Sequence, residues 1–105
     1  MKPKTQYITR LIRSYINTVD SSADVILYGS RAREDERSDF DWDILILTDD
    51  PTNLMTERKF RDKLYDLTLE TGEIFSVFVY SKNEWLTKQR FTPFYHNVTE
   101  EGVLI

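Results

Sequence analysis

The chain has 105 residues, enough for one domain, taken here as 1–105, with a single modest core. Hydrophobic residues make up 40% and aromatics 13%, a globular composition, and the lack of cysteine excludes disulfides, thiolate zinc sites and cysteine nucleophiles. With 18 acidic against 14 basic residues the net charge is −4, which argues against an extended nucleic-acid surface but leaves room for a small phosphate ligand arriving as a metal complex.

No apolar run approaches the ~20 residues of a membrane span and the N-terminus lacks a signal-peptide pattern, so a cytoplasmic location is expected. Tyr7, Ile8, Leu11, Ile12, Tyr15, Ile16 and Val19 recur at helical spacing and predict a core-facing first helix. Asp24–Tyr28 reads as a short buried strand that stops at Gly29. "SRARED" then starts a helix, with Ser30 as the expected N-cap. Asp43–Leu47, "DILIL", is the second strand, closed by the turn residues "TDDPTN". Apolar residues at 60, 64 and 67 place a helix from Leu54 to about Leu69, ending near Gly72.

Glu73–Tyr80 is the third strand, and Ser81 to Glu84 forms a capping box that opens a further helix. Pro93 is expected to end that helix, and "GVLI" adds an edge strand. The pattern is α/β, a small mixed sheet flanked by helices. Trp85, Phe91, Phe94 and Tyr95 are assigned to the core, and the lone His96 to the surface or the core rather than to catalysis.

Two short segments carry chemistry. Tyr28-Gly29-Ser30 feeds a strand through glycine into a helix start, so backbone N–H groups and a hydroxyl converge where an anion can approach closely. Arg31 and Arg33 add positive charge nearby, although Arg31 can instead pair with Asp35. The segment is neither a P-loop nor a dinucleotide fingerprint. Asp41 and Asp43 stand two apart at the mouth of the next strand, so both carboxylates leave from one face, about 7 Å apart at Cα, with Trp42 pointing into the packing. Adjacent carboxylates repel, and a hard cation such as Mg²⁺, which shares its shell with substrate phosphates, removes that penalty.

Together these segments read G-S-x10-D-x-D, and "GSRAR…DWDILIL" resembles the nucleotidyltransferase superfamily that includes the DNA polymerase β palm, most closely its minimal nucleotidyltransferases. The similar order of strands and helices covers nearly the whole chain. Glu34 stands where that family has glycine, and Phe40 where it has serine. A rival register takes Ser38, Asp39 and Asp41 as the motif; the ten-residue register is preferred because it keeps the apolar run directly after the second carboxylate.

The resemblance implies a palm-like fold in which Gly29 and Ser30 hold the terminal phosphates of a nucleoside triphosphate, ATP in the first instance. Asp41 and Asp43 would bind two Mg²⁺ ions, and Arg33 would contact phosphate. The superfamily's third carboxylate, often the base for the acceptor hydroxyl, aligns with Ser76; Glu73 lies on the opposite strand face. A chain of this size has little left to select an acceptor, so another protein or a second subunit would present it. The resemblance points to a helical HEPN partner, toxin to this chain's antitoxin, with AMP attached to a tyrosine. The alternative is a catalytically weak nucleotide-binding subunit that acts by binding its partner.

Overall fold

The computed structural model describes residues 1–34 and 41–105. The described elements run α1 (Pro3–Asn17), β1 (Asp24–Tyr28), α2 (Gly29–Ala32), β2 (Trp42–Thr48), α3 (Leu54–Thr71), β3 (Phe75–Ser81), α4 (Lys82–Thr87), α5 (Pro93–Glu101) and β4 (Val103–Leu104). The strands form one mixed sheet in the order β3-β2-β1-β4. β1 pairs antiparallel with both β2 and β4, and β2 pairs parallel with β3 across the α3 crossover.

Side-chain alternation along each strand divides the sheet into two unlike faces. Val25, Leu27, Trp42, Ile44, Ile46, Val77 and Val79 point to the face covered by α1 and α3, where Ile8, Ile12, Ile16, Phe60, Leu64 and Leu67 meet them. Each such side chain, removed from water, contributes about 1.5–3 kcal/mol, so this layer dominates the stability of the fold. The opposite face is only partly covered. Leu45 and Leu47 there pack with Trp85 and Val98, with Tyr28, Tyr80, Phe94 and Tyr95 around them. At the end of this second face, where β1 stops and β2 begins, the cover gives way and Asp43 is half-buried.

Local sequence explains the element ends. Asn53 caps α3 by accepting the Thr56 N–H, and Gly72 ends that helix in the left-handed region at φ 76°. Ser81 accepts the Glu84 N–H at the start of α4, as the capping pattern predicts. Pro93 does not terminate α4: that helix stops at Thr87, and Pro93 opens α5, with the Thr92 side chain accepting from Tyr95 N. Proline lacks the N–H that the first helical position leaves unpaired, so it fits a helix start as well as a stop. β3 begins at Phe75 rather than Glu73. Phe91 is 82% exposed rather than in the core, whereas Trp85, Phe94 and Tyr95 pack as expected. His96 lies exposed on α5.

Candidate active site

Tyr28 at the end of β1 pairs with Asp43 at the start of β2, and the chain turns immediately at Gly29. Gly29 is the first residue of α2 and Tyr28 its cap, so Ser30 is not the N-cap; no side chain caps this short helix. The glycine is required twice over. Its φ is +75°, a conformation that side chains disfavour, and a Cβ there would lie 2.2 Å from Asp43 Oδ2. The Gly-Ser turn and Asp43 thus approach each other closely.

Arg33 reaches back over this turn. Its guanidinium donates to Ser30 Oγ at 3.3 Å and to Glu101 Oε2 at 2.7 Å. Glu101 Oε1 accepts the Gly29 N–H at 3.1 Å. Glu101, absent from the sequence reading, therefore belongs to the site. One signal in the sequence could have found it, since "GVLI" reads as an edge strand. Leu27 pairs with Val103, and continuing that antiparallel register two residues outward sets Glu101 opposite Gly29.

The two arginines separate. Arg31 turns away into the α1 side of the sheet, where it is 7% exposed and stacks its guanidinium 4.4 Å from the Trp42 ring. Glu73 lies 3.8 Å from Arg31, 2.7 Å from Lys4, and accepts from Trp42 Nε1 at 3.2 Å. Burial pushes the Glu73 carboxyl up, but the Lys4 and Trp42 hydrogen bonds outweigh it and hold the group below its ordinary value. Glu73, which precedes β3 rather than lying in it, is therefore a tie on the covered face. Asp35, Ser38, Asp39 and Phe40 lie outside the described residues, so the rival motif register and the Arg31–Asp35 pair do too.

Asp43 carries an electrostatic penalty. Burial first, and then the charge of Asp41, raise its carboxyl above the ordinary range; Arg33 lowers it and Glu101 raises it again. Beside Asp43, the Tyr28 phenol is also raised, by burial and by the Asp43 charge. Asp41 is exposed one residue before β2. In the parallel register Ser76 of β3 is the partner of Asp43, so a serine occupies the neighbouring position on the same face.

The donor set suits a hard divalent cation. Among the described residues no group of three or more His, Cys, Asp or Glu side chains is arranged to hold a metal. Two carboxylates two residues apart, Asp43 raised by burial and then by the charge of Asp41, match the partial protein shell that Mg²⁺ completes with phosphate and water. The missing side chain at Gly29 is what lets the Asp43 carboxylate pack against the turn.

A family model described as "Polymerase beta, Nucleotidyltransferase" matches residues 11–105. No curated protein matches the sequence. Among solved structures, the chain is similar to a candidate nucleotidyltransferase from Sulfolobus solfataricus, with a TM-score of 0.52 and 22% identity over 95% of this chain and 80% of that one. At this identity the likeness speaks for the fold. A second crystal structure of a candidate nucleotidyltransferase gives a TM-score of 0.44 and 19% identity over 86% of this chain and 91% of that one, too distant to add to the argument. The motif, the mixed sheet that carries it and the match over residues 11–105 agree, and the chain belongs to the polymerase β nucleotidyltransferase family.

Proposed function

We propose that the protein is a Mg²⁺-dependent nucleotidyltransferase that moves a nucleoside monophosphate, AMP from ATP, onto a hydroxyl group of a partner protein. The observation that carries this reading is the close approach of Asp43 to Gly29, which would set a phosphate-binding turn beside the carboxylates. Gly29, Ser30 and Arg33 would hold the terminal phosphates, and Asp41 and Asp43 would hold the cation. The bound cation would offset charge on the triphosphate during transfer. The acceptor oxygen forms a bond to the α-phosphorus, the bond from that phosphorus to the bridging oxygen breaks, and pyrophosphate leaves with the electron pair. The acceptor proton passes to solvent or to a base on the partner.

The resemblance to minimal nucleotidyltransferases supports a helical HEPN partner carrying the acceptor tyrosine, in a toxin–antitoxin pair. A second reading, a nucleotide-binding subunit with weak catalysis, draws on Ser76, which stands beside Asp43 where the superfamily's third carboxylate aligns. Incubation with Mg²⁺, a co-purifying helical protein and ATP labelled at either the α- or the γ-phosphorus separates the readings. Label from the α position alone, lost in Asp41→Asn/Asp43→Asn, is the expected result. Mg²⁺-dependent ATP binding without any transfer would favour the second reading, and no binding would refute both.

A further inference from the structure

Two features of its position disfavour a charge on Glu101. It ends α5, where the helix dipole disfavours negative charge, and its charge raises Asp43. What holds it there is the very set of groups assigned to phosphate. The Gly29 N–H donates to Oε1 at 3.1 Å and Arg33 Nη1 to Oε2 at 2.7 Å, while Arg33 also bridges to Ser30 Oγ. One carboxylate thus spans a backbone donor and a guanidinium in the manner of a phosphate with two of its oxygens.

The C-terminal segment fixes this placement. β4 pairs with β1, and the Ile105 N–H donates to Val25 O. Gly102 sits where a Cβ would meet Val98 O at 2.4 Å and Ile26 Cγ2 at 2.8 Å, so the chain turns tightly from α5 into the strand and delivers Glu101 to the turn.

We infer that Glu101 is an affinity-setting residue of the nucleotide site: its carboxylate stands in for phosphate on Gly29 and Arg33, and an incoming nucleotide displaces it. The inference rests on the nucleotide-binding reading above and deepens it. Displacement is feasible because the Arg33 side chain is 54% exposed and that of Glu101 26% exposed, and an ion pair so open to solvent is weak. The released carboxylate turns toward solvent, and the nucleotide's phosphate inherits both donors. Glu101 therefore lowers affinity for phosphate-bearing ligands and leaves contacts to the base and ribose unaffected.

The chain has three glycines, so the Gly29 amide is readily followed by ¹⁵N NMR while Mg·ATP is titrated into the wild type, Glu101→Gln and Glu101→Ala. Both variants are expected to bind Mg·ATP about threefold to tenfold more tightly than the wild type. Adenosine, which lacks phosphate, should bind all three alike. In the wild type, the Glu101 side-chain carboxyl ¹³C resonance should shift at saturating Mg·ATP, a readout that does not depend on either variant folding. Equal or weaker Mg·ATP binding by the variants, or a stationary Glu101 resonance, would overturn the inference and leave the nucleotide reading standing. Weaker binding would instead mark Glu101 as a direct contributor to nucleotide or metal binding. Failure of the wild type to bind Mg·ATP at all would remove the nucleotide reading, and this inference with it.

Discussion

Gly29 and Glu34 both adopt left-handed backbone, at φ 75° and 56°, and they bracket the short segment that carries Ser30 and Arg33. At Gly29 the sequence supplies the residue that the geometry needs. At Glu34 it does not, although the family motif has glycine there. Side chains in this region cost about 1–2 kcal/mol. Glu34 recovers part of that cost by accepting the Lys2 N–H at 2.8 Å and by lying 3.6 Å from the terminal ammonium, both near the surface. Thermal melts of Glu34→Gly should therefore show a net gain of about 0.5–1 kcal/mol; a lower Tm would mean that the terminal contacts outweigh the strain.

Asp43 gives a pH-dependent counterpart. Its carboxyl is raised by burial and then by Asp41, so the folded chain holds a proton there more readily than the unfolded chain. Its favourable contribution is complete below the ordinary value of 3.8 and is lost as pH rises through the higher folded value. At neutral pH without divalent cation, Asp43→Asn should accordingly melt above the wild type, and the difference should shrink in acid. Added Mg²⁺ should raise the wild-type Tm and leave the variant unmoved. Equal melts at both pH values would show that Asp43 carries no such penalty.

Among the elements, Glu73 in the connection between α3 and β3 ties Lys4 of α1, Arg31 of α2 and Trp42 of β2. Its carboxyl is held below the ordinary value of 4.5, so the stability it contributes is present above that value and lost as pH falls through the lower folded one. Glu73→Gln weakens three polar contacts on the covered face and removes one charged partner of the buried Arg31. A loss of about 1–3 kcal/mol at pH 7 in urea unfolding is expected, declining in acid. An unchanged midpoint would show that the tie is dispensable.

The elements also show what the sequence could convey. The apolar run in "DILIL", the strand-like "EIFSVFVY", the capping box at Ser81 and the helical stripe in α1 are local signals, and each marked its element. Pro93 was ambiguous because the same missing N–H suits a helix start and a helix stop. Arg31 and Arg33 look equivalent as letters, yet they lie on different sides of a single helical turn, and only tertiary packing reveals that Trp42 and Glu73 claim the first.

Over the whole molecule, the closeness of Gly29 to Asp43 was legible because one follows β1 and the other opens β2, and antiparallel pairing of these adjacent strands sets Tyr28 opposite Asp43. Glu101 was not, because it lies 72 residues from Gly29 along the chain and reaches it through the pairing of β1 with β4. If these distant segments form one nucleotide and cation site, ATP binding must depend on both the cation and the two carboxylates. Calorimetric titration of ATP into the wild type and into Asp41→Asn/Asp43→Asn, with and without Mg²⁺, tests it most directly. The expected result is saturable ATP binding in the wild type that weakens at least about tenfold, or about 1.4 kcal/mol, when either Mg²⁺ or the two carboxylates are removed. Binding that ignores both the cation and the carboxylates, or no binding in the wild type, would contradict it.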